Sequence, residues 1–143
     1  MSYKIDFAAA DVQWQILALQ EFSEIANRNF YPAMNRSVRI THASVASKMK
    51  FDDLSGQTRA TFGKRASGKG LMISGRVGWF GKGAVHTANL LEYGVSPHKI
   101  GSGMHPGYPA MKFMEDGYTA VESTVESEME MAMINTVNDL VKK

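Results

Sequence analysis

An α+β fold is predicted for this chain, from helical apolar spacing at both ends and a strand-like alternation, punctuated by glycines, between them. Its 143 residues suit one compact domain with a real core, so the whole span 1–143 is expected to fold as a single unit. Hydrophobic residues make up 44% and charged residues 21%, ordinary globular usage that disfavours wholesale disorder.

Asp11 is an N-cap candidate, and Val12, Ile16, Leu19, Ile25 and Ala26 approximate a helical stripe behind it. A first helix over roughly 11–29 follows. Pro32 suits the first turn of a second helical segment reaching about residue 50, since its missing N–H is harmless there; Met34, Val38, His42, Val45 and Met49 supply the stripe. Asp52, Asp53, Ser55 and Gly56 close it.

Beyond Gly56 the period changes. Thr58, Ala60 and Phe62 alternate with Arg59 and Thr61, and Met72, Ser74 and Arg76 alternate with Leu71, Ile73 and Val77. Two strands joined by the Gly/Lys/Ser loop 63–70 form the predicted hairpin, spanning 56–80. A short helix over 84–94 comes next, with Gly94 at its C-cap. Pro97, Gly101, Gly103, Pro106 and Gly107 make 95–109 an irregular loop.

The last element reads as one long helix over 111–141, with Met114, Tyr118, Val121, Val125, Met129, Ala132, Thr136 or Val137, and Leu140 as its apolar stripe. Some 30 helical residues extend about 45 Å. A compact chain of this length is under about 40 Å across, so, unless Gly117 bends or shortens the helix, part of the stripe is expected to protrude and to need a partner, most simply another copy.

Composition excludes several function classes. Without cysteine there are no disulfides, thiolate ligands or thiol nucleophiles. No apolar run approaches bilayer length, and Asp6 and Asp11 stand where a secretory signal carries basic and apolar regions. The net charge of +2 hides a polarity: the span 28–82 is rich in Arg and Lys with only Asp52 and Asp53 as acids, whereas Glu115 to Glu130 contains acids and no Lys or Arg. Such asymmetry steers nucleic acid to the basic part or pairs neighbouring subunits head to tail.

Local motifs for catalysis fail their context tests. Residues 63–70 nearly spell the phosphate-cradling GxxxxGK[ST], yet Gly70 replaces the hydroxyl residue and a strand follows instead of a helix. His86, Glu92, His98 and His105 lack metal-ligand spacing. No nucleophile elbow accompanies the Ser and His residues. The expectation is a non-enzyme with no catalytic, cofactor or metal residues.

The most informative stretch is 86–114. His86 precedes Leu91-Glu92-Tyr93-Gly94, and Pro109-Ala110, two residues on, is followed by Phe113-Met114; Ser55-Gly56 leads into Thr58 and Thr61-Phe62. From about Asp52 to the C-terminus, these motifs and the order of elements resemble the tail-completion or head-tail joining (neck) proteins of tailed bacteriophages. Lys112 and Asp116 stand where that family's pattern has proline.

The resemblance implies a small antiparallel or mixed sheet with flanking helices and a long C-terminal helix. It also implies a homo-oligomeric, commonly hexameric ring between the head portal or connector and the tail tube or terminator, with genomic DNA passing the lumen and no membrane involved. The protein would reside in the virion, assembled in the bacterial host cytoplasm. Partner or subunit contacts are expected at Lys64, Arg65, Lys69, Glu92, Tyr93, Gly94, Pro109, Phe113, Met114 and Val137. The competing expectation is a DNA-binding or DNA-packaging accessory module that uses the basic span 28–82.

Overall fold

The computed structural model describes residues 9–53, 56–69, 72–80 and 84–142, with side chains from residue 20 onward in those spans except at 84. Its elements are α1 (Ala9–Lys48), α2 (Gln57–Ala60), β1 (Phe62–Lys69), β2 (Met72–Trp79), α3 (Ala84–Tyr93), β3 (His98–Ile100), β4 (Gly103–His105), α4 (Phe113–Thr119) and α5 (Glu122–Val141). The fold is α+β, with helices around two small antiparallel two-stranded sheets, β1-β2 and β3-β4.

Helix α1 is the spine against which β1, β2, α4 and α5 all pack. The two helical segments expected around Pro32 are one helix of 40 residues with the proline inside it. Pro32 is exposed, while Ile25, Ala26, Ala33, Ser37, Val38, Val45 and Met49 are buried along one continuous face. An interior proline forfeits a hydrogen bond and costs about 3 kcal/mol, but breaking the helix there would put that apolar face out of phase with everything packed on it. At 1.5 Å per residue α1 extends about 60 Å, so it is this element, and not the C-terminal one, that exceeds the expected width of the globule.

The predicted C-terminal helix is divided. Helix α4 ends at Thr119, and α5 starts after Val121, whose φ and ψ of −124° and 2° leave the helical region. The break lets each piece meet a different part of α1. Gly117 of α4 lies so close to Val45 that a Cβ there would stand 2.6 Å from the Val45 Cα. Helix α5 runs antiparallel to α1 and is fastened by Arg36 to Glu128 at 2.7 Å and Arg28 to Asp139 at 2.9 Å. Asn29 adds hydrogen bonds to Asp139 at 3.1 Å and to the Thr136 hydroxyl at 3.3 Å.

The main core sits at the C-terminal end of α1, where Val45, Met49, Phe51, Phe62 and Phe113 are buried together with Trp79 and Leu91 against them. Trp79 meets Phe62 and Phe113 at ring-centroid distances of 4.8 and 5.8 Å. Thr58 and Ala60, expected in a strand, form the helical turn α2, because the Asp53 carboxylate accepts the Arg59 N–H at 2.7 Å and Trp79 Nε1 donates to the Thr58 carbonyl at 2.6 Å. Most of the expected loop 63–70 is strand: β1 continues to Lys69 and pairs with β2 from Phe62↔Trp79 to Lys69↔Met72.

Candidate functional site

The two motifs that carry the family resemblance meet in space. At the end of α3, Gly94 adopts φ +76°, and a Cβ on it would stand 2.6 Å from the Ala110 nitrogen. Both demands call for glycine. The chain then leaves through Val95 and returns at Tyr108, and these two residues exchange N–H···O=C bonds of 2.9 Å in each direction. Next the Met111 and Lys112 N–H groups donate to the Leu91 and Glu92 carbonyls at 2.9 and 3.2 Å, satisfying carbonyls at the end of α3.

Glu92 completes this joint. Its side chain is only 7% exposed, and its Oε2 and Oε1 accept the Met114 and Glu115 N–H groups at 2.9 and 3.2 Å. These donors open α4, whose own N-cap, Lys112, provides no side-chain cap. A carboxylate borrowed from α3 therefore caps α4 and matches the positive end of its dipole. Lys112 has φ 48°, the only positive φ at a non-glycine residue among those described. Proline supplies neither this φ nor the N–H that Lys112 donates, so the joint excludes it at this position.

These placements revise the expected contacts. Glu92 and Phe113, expected to touch partners, are turned inward: Glu92 holds α4, and Phe113 is 1% exposed in the aromatic core. Gly94 is committed to the joint and Met114 packs against the core. Tyr93, by contrast, is 78% exposed, and Pro109 lies at the surface. The loop between them holds the hairpin β3-β4, where His98 and His105 pair and stack at 5.1 Å. Their Nδ1 atoms are engaged by the Ser96 carbonyl and the Gly107 N–H. Among the described residues no three potential metal-ligating side chains cluster. In the phosphate-loop lookalike, Gly63 to Lys69 are paired in the β ladder, so their backbone does not form a cradle.

A second surface lies along α1 and α5. An apolar groove of about 630 Å3 is lined by Phe22, Phe30 and Met34 from α1, Met133 and Val137 from α5, and Ile73 from β2. Val137 is 52% exposed at its rim. Glu126, Glu130, Met133, Val137 and Val141 recur at three- and four-residue spacing, so one flank of α5 passes from acidic to apolar along its length. Met131 and Ile134 extend the exposed apolar surface. No described helix is long and apolar enough to cross a membrane.

Lys64, Arg65 and Lys69 are exposed on β1, and Arg76, not singled out by sequence reasoning, stands directly opposite Arg65. Only strand register reveals that pairing. Comparison with protein-family models, curated proteins and solved structures finds no match to this chain.

Proposed function

We propose that this chain is a virion structural protein of a tailed bacteriophage, one subunit of a homo-oligomeric ring that completes the neck between head and tail. The setting comes from the resemblance carried by Leu91 to Gly94 and Pro109 to Met114. The observation that supports a binding role is the α1–α5 groove, whose apolar lining includes the exposed Met133 and Val137 and is of the kind that marks contact sites. An acidic-to-apolar flank on α5 has a direction, which suits a head-to-tail contact of the sort that closes into a ring. The work is association, and no turnover is required.

Native mass spectrometry tests the assembly directly. Val137→Asp places a charge on the rim of the groove while leaving the core untouched, so circular dichroism should report a folded chain and the ring should be lost. Full ring assembly by this variant would remove the groove from the subunit contact. Quantitative proteomics of purified particles should find the chain at several copies each, and its consistent absence from intact particles rejects the neck assignment.

A further inference from the structure

The basic span 28–82 is broken up by the fold. Arg28 and Arg36 pair with acids of α5. Arg59 turns back to the end of α1, its Nη2 donating to the Met49 and Phe51 carbonyls at 2.6 and 2.7 Å. What remains concentrated is the β1-β2 hairpin, with Lys64, Arg65, Lys69 and Arg76, and the sequence contains no Asp or Glu between Asp53 and Glu92. Among the described residues none of these four cations forms an ion pair.

Register sorts the hairpin into two faces. Phe62, Val77 and Trp79 join the core, Ile73 lines the groove, and Gly75 lies against Met34 and Val38, so this set faces α1. The alternate residues form the outward face in three successive cross-strand rows: Arg65 with Arg76, Ser67 with Ser74, and Lys69 with Met72. Successive rows are about 6.8 Å apart, twice the rise per strand residue. The two serine hydroxyls lie 3.4 Å from each other.

Like charges directly opposite in an antiparallel pair are destabilising, and among the described residues no acid pairs with either arginine. An anionic ligand would relieve the repulsion. Guanidinium forks match phosphate oxygens, serine hydroxyls are common phosphate donors, and the DNA major groove admits a two-stranded β-ribbon. An acidic protein surface is the other candidate anion, but protein contacts centre on buried aromatic or apolar anchors, and among the described residues the apolar groups of this face, Phe80 beside Gly63 and Met72, are exposed at its two ends, with only the charged and serine rows between them. From these observations we infer that the outward face of the β1-β2 hairpin binds the phosphate backbone of duplex DNA, without reading its sequence, through Arg65, Arg76 and Lys69. This inference does not depend on ring formation.

The test is fluorescence anisotropy of the full chain with a short labelled duplex of mixed sequence over a series of NaCl concentrations. The wild type should bind with a steep salt dependence. Replacing Arg65 and Arg76 together by Ser should weaken binding at least about tenfold and shallow the slope of log Kd against log salt by about 1.8, the counterion release of two phosphate contacts. A charge-matched control, Lys48→Ser with Lys50→Ser, should leave that slope in place, and Arg65→Lys with Arg76→Lys should largely restore it. The Ser double variant should melt no lower than wild type, because a repulsive pair has been removed.

Absence of duplex binding by wild type, or an unchanged slope in the Ser double variant, overturns the inference. An equal slope change in the charge-matched control also overturns it, by assigning the effect to net charge. Salt-sensitive self-association that the Ser variant loses, without any duplex binding, assigns the face to protein contact instead.

Discussion

Glu92 and Arg65 are both charged and both lie in segments that the sequence marks as contact regions, yet their surroundings differ completely. Glu92 is buried, with both oxygens accepting N–H groups from the start of α4. Arg65 stands in solvent opposite a second arginine. In the joint between α3 and α4 the charge is consumed by folding; on the hairpin no acid among the described residues pairs with Arg65. A motif can thus reflect the needs of a chain reversal, while a plainer run of basic residues stays at the surface.

The sharpest way to break the joint is Lys112→Pro. Proline can neither adopt φ 48° nor donate to the Glu92 carbonyl, so urea denaturation should show a loss of about 3 kcal/mol or more. Stability at the wild-type level would mean that the joint can be rebuilt around a different backbone. Glu92→Ala should come next, at about 1–3 kcal/mol, because the Met114 and Glu115 N–H groups lose their acceptor in a partly buried place. A negligible change would return Glu92 to the list of partner contacts.

The hairpin should behave oppositely. Replacing Lys64, Arg65 and Lys69 together by Ser should shift unfolding by less than about 1 kcal/mol, as for exposed charges elsewhere, while particle assembly or partner binding weakens. Normal assembly by the stably folded triple variant would show that the hairpin contributes no contact.

The smallest effect concerns Asp139, which ties α5 to α1. Its hydrogen bond from Asn29, and then that from Arg28, hold its carboxyl below the ordinary carboxylate range. A depressed folded-state pKa contributes stability above the unfolded value that is lost as pH falls through the folded one. The gap in melting temperature between wild type and Asp139→Asn should therefore be largest near neutrality and shrink on acidification. A gap that is independent of pH would exclude the ionised carboxylate as its source.

Several elements were legible in the residues themselves. Helix α3 with Gly94 behind it, the apolar phase of α1 on either side of Pro32, and the hairpin as a unit all follow from local spacing and turn chemistry. Other features were not. Local sequence divides α1 into two helices because proline's cost is local and visible, whereas the packing that outweighs it comes from α5 and the hairpin. The break at Ala120 and Val121 carries no glycine or proline signal at its own position; it lets α4 and α5 follow different parts of α1.

The candidate sites divide in the same way. Sequence alone determined the charge asymmetry, the absence of thiol chemistry and the order in which a Glu-Tyr-Gly helix end precedes a Pro-Ala segment, because these are properties of composition and of order along the chain. Tertiary structure decided that Glu92 caps a helix 21 residues further on, and that Arg65 faces Arg76 across a strand pair. It also decided that Arg28 and Arg36 are neutralised by α5 while, among the described residues, the hairpin cations have no ion pair. Each of these outcomes depends on register or packing between segments far apart in the chain, and a local period specifies which face of a segment is buried without specifying what lies against it.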